Sequence, residues 1–108
     1  MKKYKILKEN GDIVSENAIV LRNPFLKMKG LLGRKEIGKE EAYIFYHASS
    51  IHTYGMKFNI DVVFLDKNKY VKKIVSSMAP GKIENCNSYI TIEFPKNRMK
   101  EKNVTKMG

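Results

Sequence analysis

The seven residues Asn59 to Leu65 read NIDVVFL. Branched and aromatic side chains pack well on a pleated surface, and here they occupy both parities of the run. Neither side is left for water, so the run predicts a β-strand covered on both faces. A strand of that kind is central, and other strands must flank it. Asp66-Lys67-Asn68-Lys69 supplies turn chemistry after it. The alternation from Tyr70 to Val75 then predicts the returning arm of a hairpin.

Other strands can be found. Residues Tyr4 to Glu9 alternate, and Asn10-Gly11 is a turn signal because both residues tolerate positive φ. Ile13-Val14 would be the returning arm, with a further strand at Ala18 to Leu21. Ala42 to Tyr46 (AYIFY) and Tyr89 to Phe94 (YITIEF) complete the set, the latter ended by Pro95. Residues 47–55 and 76–88 read as loops. One helix is predicted after the Asn23 cap and Pro24, with Phe25, Met28, Leu31 and Leu32 on one face and Gly33 as the stop. Six or seven strands and one helix predict a mainly β fold. The simplest form is a small sandwich-like or partly open barrel domain with one short α-helix.

A chain of 108 residues, 43% hydrophobic and 30% charged, fits one globular domain spanning 1–108. Cys86 is alone, which excludes an intramolecular disulfide and a thiolate zinc cluster. Lys2 and Lys3 follow Met1, but Lys5, Lys8 and Glu9 interrupt the apolar run a signal peptide needs. No stretch approaches a membrane span, so a cytoplasmic location is expected. The net charge is +10, yet between Glu41 and Asp66 the only basic residue is Lys57. Lysine and arginine cluster instead at 2–8, 22–39, 67–73 and 96–106. This pattern reads first as a solvated lysine-rich surface and second as a polyanion-binding face. No RNP-type motif, helix-turn-helix pattern or arginine-rich run favours nucleic acid.

The order of segments resembles a known family. GLLGR at Gly30 to Arg34 is followed by a strand, by IHTYGMKFNIDVVFLDKNKYVKKI at Ile51 to Ile74, by a Pro-Gly step, and by a strand carrying Glu93. The chain is similar to the small prokaryotic family called domain of unknown function 192. The matching positions are His52, Thr53, Gly55, Met56, Phe58, Ile60, Asp61, Phe64 and Asp66. Where the family usually has Ala-Gly after the proline of the last strand, this chain has Lys96-Asn97. The resemblance implies a compact, mostly β fold and no particular activity.

The candidate site is the polar half of the quoted segment, Ile51 to Met56. A loop held on a rigid sheet is where binding groups tend to sit. His52 and Thr53 are the expected polar contacts, and Tyr54 and Met56 the apolar walls of a small cleft. Asp61 interrupts the apolar strand, where a carboxylate must be hydrogen-bonded. Donors from the preceding loop and an ion pair with Arg34 are expected to hold it. His47 and His52 share no metal-ligand spacing with each other or with Asp61 and Asp66, so no metal site is expected. No glycine-rich phosphate loop or nucleophile elbow is present, and no cofactor is expected.

A ligand-binding or protein-interaction module is therefore the leading functional reading, with a small molecule or a protein as partner. A cofactor-free hydrolase or lyase using His52 as general base is the alternative, and polyanion binding the third. If Arg34 and Asp61 form a buried pair, Arg34→Glu unfolds the domain before it affects any binding. Equal melting temperatures for Arg34→Glu and wild type would remove the pair.

Overall fold

The computed structural model describes residues 3–21, 37–47 and 50–98. Among them are eight strands: β1 (Tyr4–Leu7), β2 (Ile13–Val20), β3 (Glu41–Tyr46), β4 (Ser50–His52), β5 (Ile60–Leu65), β6 (Val71–Met78), β7 (Ile83–Asn85) and β8 (Ile90–Pro95). Six form one sheet in the order β1-β2-β3-β8-β5-β6, and β4 and β7 make a separate two-stranded ribbon. The fold is mainly β, as the strand count predicts. The expected helix after Pro24 lies outside the described residues.

Local chemistry explains most of the elements. Asn10-Gly11 closes the β1–β2 hairpin, with Gly11 at φ 93° and Asn10 Oδ1 accepting from the Asp12 amide at 3.0 Å. Asp66 closes the β5–β6 hairpin, its Oδ1 accepting from the amides of Asn68 (2.8 Å) and Tyr70 (3.0 Å). The expected pair of short strands around Ile13 and Ala18 is one strand, β2. Its polar middle does not break it, because the Ser15 hydroxyl donates to the Glu40 carbonyl at 2.7 Å. Two short strands, β4 and β7, replace stretches expected to be irregular. β2 and β3 run parallel.

NIDVVFL is central, as its composition requires. β5 pairs with β8 on one side and β6 on the other, both antiparallel. All six residues of β5 are buried, and two apolar clusters lie on its two sides. The first takes Val63 and Leu65 together with Val14, Ile44, Ile92 and Phe94. Ile6 of β1 belongs to it and Val71 of β6 packs against it. The sheet therefore curls without closing, since β1 and β6 are not hydrogen-bonded neighbours. The second cluster takes Ile60, Val62 and Phe64 together with Tyr43, Phe45 and Ile51, which brings the β4–β7 ribbon onto that face. A fully buried side chain such as Phe64 contributes about 1.5–3 kcal/mol.

Glu93 lies in the middle of the covered sheet. It is directly opposite Tyr43 on β3 and Val62 on β5, so its carboxyl is on the side of the second cluster. The residue is only 7% exposed. No hydrogen bond or counter-charge reaches it among the described residues. Burial favours the neutral acid and pushes its pKa from 4.5 up to about 8. Between those values the folded chain holds a proton that the unfolded chain has released. Stability therefore falls as pH rises from about 4.5 and levels off above about 8. In Glu93→Gln this slope should disappear. The variant should gain on the order of a few kcal/mol at pH 9 and little at pH 4. Denaturant unfolding across that range checks it, and an unchanged pH slope in Glu93→Gln would refute it.

Candidate functional site

β4 leads directly into the loop of residues 53–59, and Thr53 fastens the two to the turn before β7. Its hydroxyl donates to the Ala79 carbonyl at 2.6 Å and accepts from the Lys82 amide at 2.9 Å. Its own amide donates to the Lys82 carbonyl, and its carbonyl accepts from the amides of Gly81 (3.0 Å) and Met56 (3.2 Å). Gly81, at φ 80°, makes the tight turn that allows this approach. Thr53 is fully buried. Its polar atoms are committed to the backbone, so its place is that of a rivet and not of a free polar contact.

His52 and Tyr54 flank that rivet and face outward. Ile51 packs into the second cluster, so His52, the next residue of the strand, projects to the opposite side. Its imidazole lies 5.5 Å from the Tyr54 ring, centroid to centroid, at 31°. Ile83 is its register partner on β7. Tyr54 is 53% exposed and Ile83 51%. Among the described residues, His52, Tyr54 and Ile83 together form an exposed patch on the outer face of the ribbon. Met56 is half-buried against the second cluster with Phe58 and is closer to core than to contact. Below the patch, Lys73 of β6 pairs with Glu84 of β7 at 2.8 Å and ties the ribbon to the sheet.

Asp61 belongs to the other side of the sheet. It shares the side of its register partner Phe94, which is in the first cluster. Its Oδ1 accepts from the amides of Ser77 (2.8 Å) and Asn97 (3.1 Å). These two donors come from a bulge in β6 and the turn after β8. Both donor residues have left-handed backbones, Ser77 at φ 51° and Asn97 at φ 68°. Arg34, the expected partner, lies outside the described residues. The sheet separates Asp61 from His52, so no imidazole–carboxylate dyad forms between them. Among the described residues no three His, Cys, Asp or Glu side chains converge.

Three residues outside the sequence-predicted site carry chemistry. Arg98 is 3% exposed; its Nε donates to the Val14 carbonyl at 2.8 Å and an Nη to Glu40 at 2.5 Å. Its partners lie 84 and 58 positions away in sequence, so nothing local signals it. Glu93 was visible only as a charge in an alternating strand, which reads as a solvated position. His47 follows β3 in a turn at φ 58°, with its ring 4.5 Å from that of Tyr89.

The family model DUF192, described as "Uncharacterized ACR", matches residues 5–107. The chain belongs to the DUF192 family. Two solved structures share its fold. One is a "putative transcription regulator" of Sinorhizobium meliloti 1021, with a TM-score of 0.81 at 12% identity, covering 96% of this chain and 89% of that one. The other is a protein of unknown function from Novosphingobium aromaticivorans DSM 12444, with a TM-score of 0.80 at 16% identity, covering 96% of this chain and 81% of that one. No curated protein matches the sequence.

Within this DUF192 chain the role of Thr53 can be tested directly. Thr53→Val keeps the shape but removes the acceptor of the Lys82 amide and the donor to Ala79. A loss of about 1–3 kcal/mol is expected, which lowers the melting temperature by several degrees, whereas Thr53→Ser should stay close to wild type. A Thr53→Val protein that melts with the wild type would exclude the rivet.

Proposed function

We propose that this DUF192 protein is a protein-interaction module whose recognition surface is the outer face of the β4–β7 ribbon. The observation that carries this reading is the pairing of exposed His52, Tyr54 and Ile83 with a backbone fixed from below by Thr53. Aromatic anchors on a pre-ordered backbone lose little entropy on binding and are the side chains that dominate interfaces. Their outward, open presentation suits a partner's surface better than an enclosed small molecule.

The reading of His52 as a general base has less behind it. A base of this kind needs an orienting group within hydrogen-bond reach. Asp61, the residue the sequence offers, is on the far side of the sheet. The only ring packed on the imidazole among the described residues is Tyr54, a phenol with no charge to hold a tautomer.

The test is a selection of displayed random peptides against the folded protein. Peptides with an apolar anchor should be enriched and should compete with one another. They should lose most of their affinity for Tyr54→Ala and His52→Ala, both exposed positions whose variants keep the wild-type melting temperature. Peptides that bind these variants as well as wild type would place recognition elsewhere. A failure to enrich any would remove the reading.

A further inference from the structure

A second surface lies at the end of the sheet where β3 and β5 finish and β6 and β8 begin. An open depression of about 440 Å³ is lined there by His47, Asp66, Lys67, Lys72, Asn87 and Tyr89, among others. These residues come from four separate segments of the chain, and only the fold brings them together.

The aromatic side of the depression is built and held. The His47 amide donates to the Tyr89 carbonyl at 2.8 Å, and the left-handed backbone of His47 lays its imidazole against the Tyr89 ring at 57°. Tyr46 meets the same ring edge-on at 6.3 Å. Neither contact is a parallel stack, and Tyr46 and Tyr89 remain 43% and 36% exposed.

The cationic side keeps its charge. The Lys72 ammonium donates to the Asn87 carbonyl, a neutral acceptor that positions it without neutralising it. Lys67 and Lys72 have no carboxylate partner among the described residues. Lys73, one position away, differs because Glu84 compensates it. Asp66, the acid in the depression, has one carboxylate oxygen already engaged by the two turn amides. The chain as a whole carries +10, so its long-range field draws polyanions towards such a place.

We propose that this depression binds single-stranded nucleic acid, with a base against the Tyr89–His47 rings and the adjoining phosphates at Lys67 and Lys72. Exposed rings beside uncompensated cations are what a flexible strand of alternating bases and phosphates requires. The open shape fits a strand passing across it and not a duplex, whose bases are already stacked. The site is separate from the His52–Tyr54–Ile83 patch and does not depend on it.

The experiment is fluorescence anisotropy of labelled 12-mer oligothymidylate and oligouridylate at salt from 50 to 200 mM. Unlabelled polyphosphate of equal charge serves as competitor. Wild type should bind saturably, and polyphosphate should compete poorly. Tyr89→Leu should weaken binding roughly five- to a hundredfold through loss of one base stack. The exposed double variant Lys67→Gln/Lys72→Gln should reduce the slope of log affinity against log salt by about 1.4. This second readout stands even if Tyr89→Leu folds poorly. His52→Ala should bind as wild type does, which separates this site from the ribbon patch. No saturable binding, equal competition by polyphosphate, or an unchanged salt slope in the double variant would each overturn the proposal.

Discussion

One carboxylate oxygen holds together parts of the fold that are distant in sequence. Asp61 Oδ1 accepts from Ser77 and Asn97, and each of these residues occupies a backbone region that non-glycine residues avoid. At Ser77, two residues of β6 stand opposite one of β5, a bulge between the pairs Ile60–Met78 and Val62–Val75. At Asn97 the chain turns out of β8. That turn delivers Arg98 to the Val14 carbonyl and to Glu40, which joins the β5–β6 side of the sheet to the β2–β3 side. Charge-assisted bonds to two strained amides offset the strain, which is of order 1–3 kcal/mol for each residue. Glycine adopts positive φ without cost, and asparagine is among the few residues that tolerate it.

The fold was legible wherever the cause was local. The continuous apolar run of β5, the Asn10-Gly11 hairpin and the Asp66 turn follow from side-chain shape and φ preference over a few residues. What could not be read was the cover on the second face. In YITIEF the alternation of Ile90, Ile92 and Phe94 with Thr91 and Glu93 describes a strand with one wet side. Instead the ribbon and residues 53–58 cover that side and leave a carboxyl inside. The ribbon was missed because β4 and β7 are three residues each, too short to establish a period. They exist as strands because they pair with each other and because Ile51 has a core to enter.

The candidate site divides along the same line. The segment from His52 to Met56 stands out in the sequence because its polar and aromatic residues adjoin one another. Their division of labour does not. Thr53 points in and is spent on the backbone, while His52 and Tyr54 point out, and the difference depends on a turn 26 to 29 residues away. The depression at His47 and Tyr89 had no sequence signature at all. Its lysines were visible only as part of a charge run, and its aromatics only as the ends of two strands.

The strand order has a consequence for how the chain acquires its structure. β8 (residues 90–95) lies between β3 and β5, so the two hairpins made earlier in synthesis share no ladder until it is added. Until then the inner edges of β3 and β5 present unpaired amides and carbonyls beside apolar side chains, an invitation to pair with another molecule. Insertion of a late strand between two preformed halves requires loop closure before it is rewarded, which slows folding. The strands on either side of β8 therefore become one sheet only when β8 is in place.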